Sequence, residues 1–355
     1  MTKAKRFNYI SDTKAVCLLG VILFHCMLFY ADNPFFPERA DFISKPVVVI
    51  CSILDSTVVE GFVFCSGFLY VNSAFGKSKT VFQDIYSKVR RLIVPYLLMG
   101  TFWLVPLYTF FDITTFGRTK GMGYLEGYKY MLLGVFSDHL WFLLMLFWVS
   151  VIFILMKPLI LDKKFLPISG AVTLAAALLV KFPLSGFPYY KFNQIPPYLL
   201  CYYLGICAWH FRDKLEALPA KADLLISALL FPLTVFYNDL SAKSFVWGWI
   251  CRSAGAVMML FIFLGFYRLN ISERLGKKAF WLYMQRHSFY LYLFNLPFSY
   301  LFFRLFYPLV GHMTFLCILL NFIMCMIAQC TIVQILNRLN YYRKELLGKS
   351  DKKKE

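Results

Sequence analysis

The sequence predicts an all-α, polytopic transmembrane helix bundle of about ten spans with both termini in the cytoplasm. Three observations carry this: the overall apolarity, the repeated long apolar runs, and the placement of lysine and arginine between them. Of 355 residues, 60% are hydrophobic and 19% aromatic, with a mean hydropathy of +0.63. Soluble domains are about half apolar, so the surplus needs a solvent other than water. A crossing of the hydrocarbon core takes about 20 predominantly apolar residues. The runs that qualify are Thr13–Tyr30, Val49–Val71, Leu92–Phe111, Leu140–Met156, Phe165–Phe182, Ile195–Phe211, Ala222–Tyr237, Val246–Tyr267, Ser288–Tyr307 and Met313–Leu336. Ala279–His287 reads as a short interfacial segment leading into the ninth.

Orientation follows from the basic residues of the connections. With the N-terminus inside, the inner segments hold 25 Lys and Arg and the outer loops 8, of 37 in all. The inner set includes Lys3, Lys5 and Arg6, then Lys77, Lys79, Lys88, Arg90 and Arg91. The net charge of +18 is therefore a membrane flank and not a nucleic-acid footprint,. No loop is long enough to fold alone, so residues 1–345 read as one membrane-embedded domain and residues 346–355 as a basic cytoplasmic tail attracted to anionic lipid,. The ten cysteines fall inside apolar runs without a CxxC pair, and read as small packing residues,. No His/Cys/Asp cluster has metal-ligand spacing, so no metal is expected.

Ionisable side chains inside spans are costly and mark function by default. The first span carries Lys14 and His25, 11 positions apart and hence on one helix face, separated by roughly 16 Å of rise,. Lys14 is either a snorkelling flank or part of a site. His25 is either a core histidine bonded to a neighbouring helix or a general base. The second span carries Asp55 and Glu60, and Glu60 sits at the depth of His25,. A carboxylate there would orient the imidazole and stabilise the imidazolium; the alternative is a structural pair. Ser66-Gly67 is a small patch for close approach of a ligand or a helix. Lys88, Arg90 and Arg91, ahead of Leu92-Ile93-Val94-Pro95-Tyr96, are either phosphate binders or a positive-inside flank. His139 and Trp141 stand at the outer edge of the fourth span, as an aromatic belt or a sugar platform. Arg252, about five residues into the eighth span, requires a protein, water or anionic partner.

At these residues the chain resembles acyltransferase family 3, integral membrane proteins that modify cell-surface polysaccharides and other glycans. The carrying features are Lys14 and His25 with ten residues between them; Glu60 seven positions before Gly67 in Phe62-Val63-Phe64-Cys65-Ser66-Gly67-Phe68-Leu69; Arg90-Arg91-Leu92-Ile93-Val94-Pro95-Tyr96; His139-Leu140-Trp141-Phe142; and Ser288-Phe289-Tyr290-Leu291-Tyr292-Leu293-Phe294-Asn295-Leu296-Pro297. Two departures stand out: Ser11 replaces a frequent Asp, with Asp12 on a different face, and Asn295 replaces a frequent His. Asn295 is accordingly given no proton-transfer role.

The resemblance implies an O-acyltransferase of the cell membrane. Its donor is an acyl-coenzyme A, acetyl-CoA by expectation, and its acceptor a hydroxyl of a cell-surface polysaccharide or glycolipid. No cofactor is permanently bound. His25, Glu60 and Lys14 carry the catalytic expectation. Lys14, Arg90, Arg91, Ser66 and Gly67 carry donor binding, and His139, Trp141 and Arg252 acceptor binding. The rival readings are a flippase of glycan intermediates, opposed by the absence of paired interrupted helices in corresponding halves of the sequence, and succinyl in place of acetyl transfer.

Overall fold

Long apolar runs become helices because hydrocarbon offers backbone groups no partner except each other. The computed structural model describes residues 8–31, 39–75, 80–114, 120–184 and 189–346, all helix, turn or loop, with no strand among them. Lys3, Lys5, Arg6, Lys77, Lys79 and the tail beyond Leu346 lie outside the described residues.

Each of the ten expected spans has a helical counterpart. Seven are long and apolar enough to cross a membrane: Asn8–Tyr30, Lys45–Ala74, Val81–Phe110, Asp138–Leu155, Lys163–Phe182, Phe245–Arg268 and the helix beginning at Thr314. Two more are broken, Ala220–Val235 with Tyr237–Lys243 bent by 61° and Ala279–Leu293 with Asn295–Val310 bent by 78°. The sixth, Ile195–His210, has 16 residues. Residues 279–287 are therefore not a separate interfacial segment; they form the first turns of a helix that runs to Leu293. Both sharply bent pairs lie in the C-terminal part of the chain and not in corresponding halves. Large apolar side chains such as Phe82, Phe102, Leu179, Leu229 and Leu309 are exposed on the outside, where lipid replaces water.

The third span shows how local sequence shapes the helix. Thr80 and Gln83 close a capping box: Thr80 Oγ accepts from the Gln83 amide at 3.3 Å, and Gln83 Oε1 accepts from the Thr80 amide at 3.1 Å,. The helix then widens into π turns at Val89–Ile93 and Gly100–Leu104, each followed within two residues by a proline, Pro95 and Pro106. Proline has no N–H for the preceding turn and its ring crowds the carbonyl four residues back, and a π turn absorbs the mismatch. Arg90 and Arg91 sit in the first π turn.

Between helices in lipid, close backbone approach through small residues replaces the hydrophobic effect. The second span is gripped in this way from two sides. A Cβ on Gly67 would stand 2.1 Å from the Tyr202 carbonyl oxygen, and one on Gly205 2.0 Å from that of Phe64, so these two glycines seat the second and sixth helices on each other. On the eighth helix, a Cβ on Gly255 would stand 1.9 Å from the Ser56 carbonyl oxygen. Since backbone cannot yield as a flexible side chain does, Gly205→Leu is expected to destabilise the fold by more than the roughly 1–3 kcal/mol of ordinary overpacking. Gly276→Ala, which meets nothing within 4 Å, is expected to be neutral. Thermal melts of the two variants in detergent check this; equal melting temperatures would refute the packing assignment.

Candidate functional site

The first span is pinned to the ninth helix near its N-terminal end. Asp12 is buried and its Oδ1 accepts from Trp281 Nε1 at 2.7 Å and from Gln285 Nε2 at 2.5 Å. That fixes the rotation of the helix, and Lys14, two residues on, faces a cavity of about 320 Å3. The cavity lies at the basic end of the bundle between the first, second, third, fourth and ninth helices. Its lining includes the polar side chains of Lys14, Lys88, Arg91, Asp84 and Ser66 and the apolar ones of Phe62, Phe142, Leu146, Phe289 and Tyr292. Asp84 is already paired, 2.8 Å from Lys157 Nζ, which leaves the lining with a cationic bias. Lys88 also lies over the Tyr70 ring, 5.6 Å from its centroid.

The expected donor residues divide between this cavity and the helix packing. Lys14, Arg91 and Ser66 line it. Arg90 opens instead into a neighbouring recess with Tyr86, Ser87 and Arg91. Gly67 belongs to the contact with Tyr202, because consecutive helical residues point about 100° apart. Lys88, the third cation of that cluster, joins the lining, since a residue three positions before Arg91 shares its helix face,.

His25 is half-buried, and its Nδ1 is 2.7 Å from Nδ2 of Asn295. Asn295 is buried at the first position after the 78° break, and its Oδ1 accepts from Gln329 Nε2 at 3.3 Å. The partner of the imidazole is thus an amide from the ninth helix. Asn295 is the lone amide of the ninth apolar run, whereas Gln329 shares the tenth with Asn321 and Gln334, so only the first stood out in the sequence.

Glu60, expected to orient His25, has a different partner. It is fully buried and accepts from Arg252 Nη1, and it makes no hydrogen bond to His25. Equal depth along two helices fixes height but not rotation, and Glu60 faces the eighth helix. Arg252 in turn donates to the Tyr198 hydroxyl at 3.0 Å, the Tyr237 hydroxyl at 2.5 Å and the Asp55 carbonyl at 3.1 Å, with the Asp55 carboxylate at 3.6 Å. Arg252, expected at the acceptor, finds the partners it requires within the protein.

The other two expected acceptor residues also have partners inside the bundle. His139 is buried, within electrostatic reach of His25, and its Nε2 lies 3.0 Å from the Leu293 carbonyl oxygen, the last carbonyl before the break. The Tyr292 hydroxyl donates to the His139 carbonyl. Trp141 is half-buried with its ring 5.8 Å from that of Tyr198. Outside the spans, Lys191 donates to the Val135 carbonyl at 3.2 Å, and burial holds its ammonium below the usual lysine range, opposed by the charge of Asp138,. Among the described residues no three His, Cys, Asp or Glu side chains gather as metal ligands.

Removing one partner of a buried ion pair leaves an uncompensated charge, at a cost of about 3–5 kcal/mol. Glu60→Gln and Arg252→Met are each expected to lower the melting temperature, and the double variant Glu60→Leu/Arg252→Met to regain much of the loss. Melts of all three in detergent check the pairing. Additive losses in the double variant would show two independent sites.

The lining of the cavity, the first-span lysine and histidine and the broken ninth helix all fall within one stretch of chain, and that stretch is what the comparison with known families recognises. The family model described as an acyltransferase domain, the third of that name, matches residues 8–333. No curated protein and no solved structure matches the chain. With nearly its whole length covered by that model, the chain belongs to acyltransferase family 3 and is a membrane-embedded acyltransferase, a transferase of groups other than amino-acyl groups.

Proposed function

We propose that this enzyme moves an acetyl group from acetyl-coenzyme A, entering from the cytoplasm, to a hydroxyl of a cell-surface polysaccharide or glycolipid in the cell membrane. The observation that carries the reading is the cavity at the basic end, whose lining combines two kinds of side chain, the cations Lys14, Lys88 and Arg91 and a set of aromatic and aliphatic groups. A coenzyme A thioester has that division: a polyphosphate head that cations hold through charge-assisted bonds and a slender arm ending in the acyl group. At about 320 Å3 the cavity is at the small end of ligand pockets, roughly 300–1,000 Å3, and suits the arm. The head then lies at its mouth, where Arg90 and Tyr86 open into the adjoining recess. The cytoplasmic placement of both termini, by the excess of basic residues at this end,, puts the mouth on the side where the donor is made.

His25 does not line the cavity, and the link between them runs through the ninth helix. Tyr292 lines the cavity and donates to the His139 carbonyl, and Asn295, hydrogen-bonded to His25, follows three residues later across the 78° break. In the reaction, His25 takes the proton of the acceptor hydroxyl as its oxygen attacks the thioester carbonyl. The tetrahedral intermediate collapses with cleavage of the carbon–sulfur bond, and the imidazolium returns the proton to the departing thiolate. Products are the O-acyl ester and free coenzyme A. Glu60 enters through the scaffold it builds with Arg252. Succinyl transfer would use the same steps, with one cation of the lining left for the extra carboxylate. The two interrupted helices are the feature that favours the flippase alternative.

Proteoliposomes given acetyl-coenzyme A labelled in the acetyl group and a glycan acceptor separate these readings. Label is expected on the acceptor; a flippase leaves it on the donor, and a preference for labelled succinyl-coenzyme A replaces the acyl group. His25→Ala is expected to purify normally and to lose activity by about 10²–10⁴-fold, the usual contribution of a general base. Retention of more than about a tenth of the rate would end that assignment. Lys14→Arg is expected to keep the KM for the donor close to that of the parent and Lys14→Ala to raise it, because the guanidinium supplies the same charge in a geometry suited to phosphate. Equal effects of the two substitutions would remove Lys14 from the donor site.

A further inference from the structure

The hydrogen bonds behind His25 form a short chain: Asn295 Nδ2 faces His25 Nδ1 at 2.7 Å, and Gln329 Nε2 faces Asn295 Oδ1 at 3.3 Å. Both amide residues are fully buried, and the Gln329 carbonyl oxygen has no hydrogen-bond partner. In this arrangement Nδ1 can only accept, so the neutral ring carries its proton on Nε2. Such a ring is in the wrong tautomer to take a proton at Nε2. An imidazolium carries protons on both nitrogens and would set an N–H of the ring against the N–H of Asn295.

A half-turn of each amide removes both conflicts. The two ends of a carboxamide have nearly the same shape, so the turned groups fit the same space. Asn295 Oδ1 then accepts from Nδ1–H of His25, and Asn295 Nδ2 donates to Gln329 Oε1, which brings the orphaned oxygen into use. Neither amide can turn alone, because Asn295 turned by itself sets its NH2 against that of Gln329. The two therefore have two joint states, one in which Nε2 is protonated and one in which it is bare.

We propose that Asn295 and Gln329 are a coupled pair of positioning residues that sets the tautomer of His25, with Gln329 acting on the imidazole only through Asn295. The pair takes the place that a carboxylate holds in a serine–histidine–carboxylate triad. An amide carries no charge, so it orients the ring and accepts from the imidazolium without holding the proton on it. The inference rests on His25 being the base; it assigns how that base is held in its working form. His139 is a titratable neighbour that acts electrostatically on His25.

The test uses full-length protein labelled with 15N-histidine in lipid nanodiscs, with the His25 resonances identified by their loss in His25→Ala. With acetyl-coenzyme A bound, wild-type His25 is expected to show a protonated Nδ1 and a bare Nε2. Gln329→Met, which keeps length and removes the acceptor, is expected to move the ring toward the Nε2–H tautomer. Its kcat should fall by about 10–100-fold with the donor KM unchanged, below the about 10⁴-fold loss of a triad histidine locked in the wrong tautomer. Gln329→Glu, which presents only oxygen toward Asn295, is expected to keep kcat within about threefold of the parent and so to exclude a general loss of folding. A wild-type ring protonated on Nε2 in the donor complex would overturn the proposal, as would a Gln329→Met variant with unchanged tautomer and kcat. If His25→Ala stays active, the general-base reading falls, and the resonances still decide whether the amide pair sets the tautomer.

Discussion

Every carbonyl and amide of a helix within hydrocarbon must find a partner inside the protein, and the architecture here depends on how that demand is met where helices break. The ninth helix turns by 78° at Phe294, which strips the end of its first half of intrahelical donors. His139 reaches the last of these carbonyls, that of Leu293, and the Tyr292 hydroxyl ties the His139 carbonyl back to the same helix. The second span is interrupted between Asp55 and Val58. There the hydroxyls of Ser56 and Thr57 donate to carbonyls of the preceding turn, and Arg252 donates to the Asp55 carbonyl. Two side chains whose positions read as outward-facing binding groups are thus closures of broken backbone.

These closures place the chemistry. Breaking the ninth helix puts Asn295 at the start of a new helical segment, beside His25 and below the tenth-helix Gln329. Breaking the second leaves Glu60 in the first turn of Val58–Ala74, directed at the eighth helix and its arginine. The ion pair is costly to dismantle, and from the eighth helix Arg252 reaches the second, sixth and seventh through Asp55, Tyr198 and Tyr237. With the glycine contacts at Gly67, Gly205 and Gly255, it makes the second span a fixed wall for the cavity that Lys14, Lys88 and Arg91 face.

Charge is distributed to the same end. Cations that flank the spans are a topogenic signal in any membrane protein, and in this one three of them turn inward to line a cavity whose carboxylate, Asp84, is already neutralised by Lys157. The π turn before Pro95 widens the helix at Arg90 and Arg91. The same cations that flank the spans thus also line the cavity.

What the sequence by itself determined is what depends on composition and on spacing along one helix. Apolar length marked out the ten helical segments, and a separation of eleven positions put Lys14 and His25 on one face,. The order of short motifs identified the family whose model spans residues 8–333. Tertiary structure alone decided which helix each polar face meets, because rotation about a helix axis is set by packing against neighbours and leaves no periodic trace in a uniformly apolar run. Glu60 therefore went to Arg252 and His25 to Asn295, and His139 went to a backbone carbonyl. Buried polar groups take whichever partner satisfies them at closest range, and those partners here lie 154 to 270 residues away along the chain.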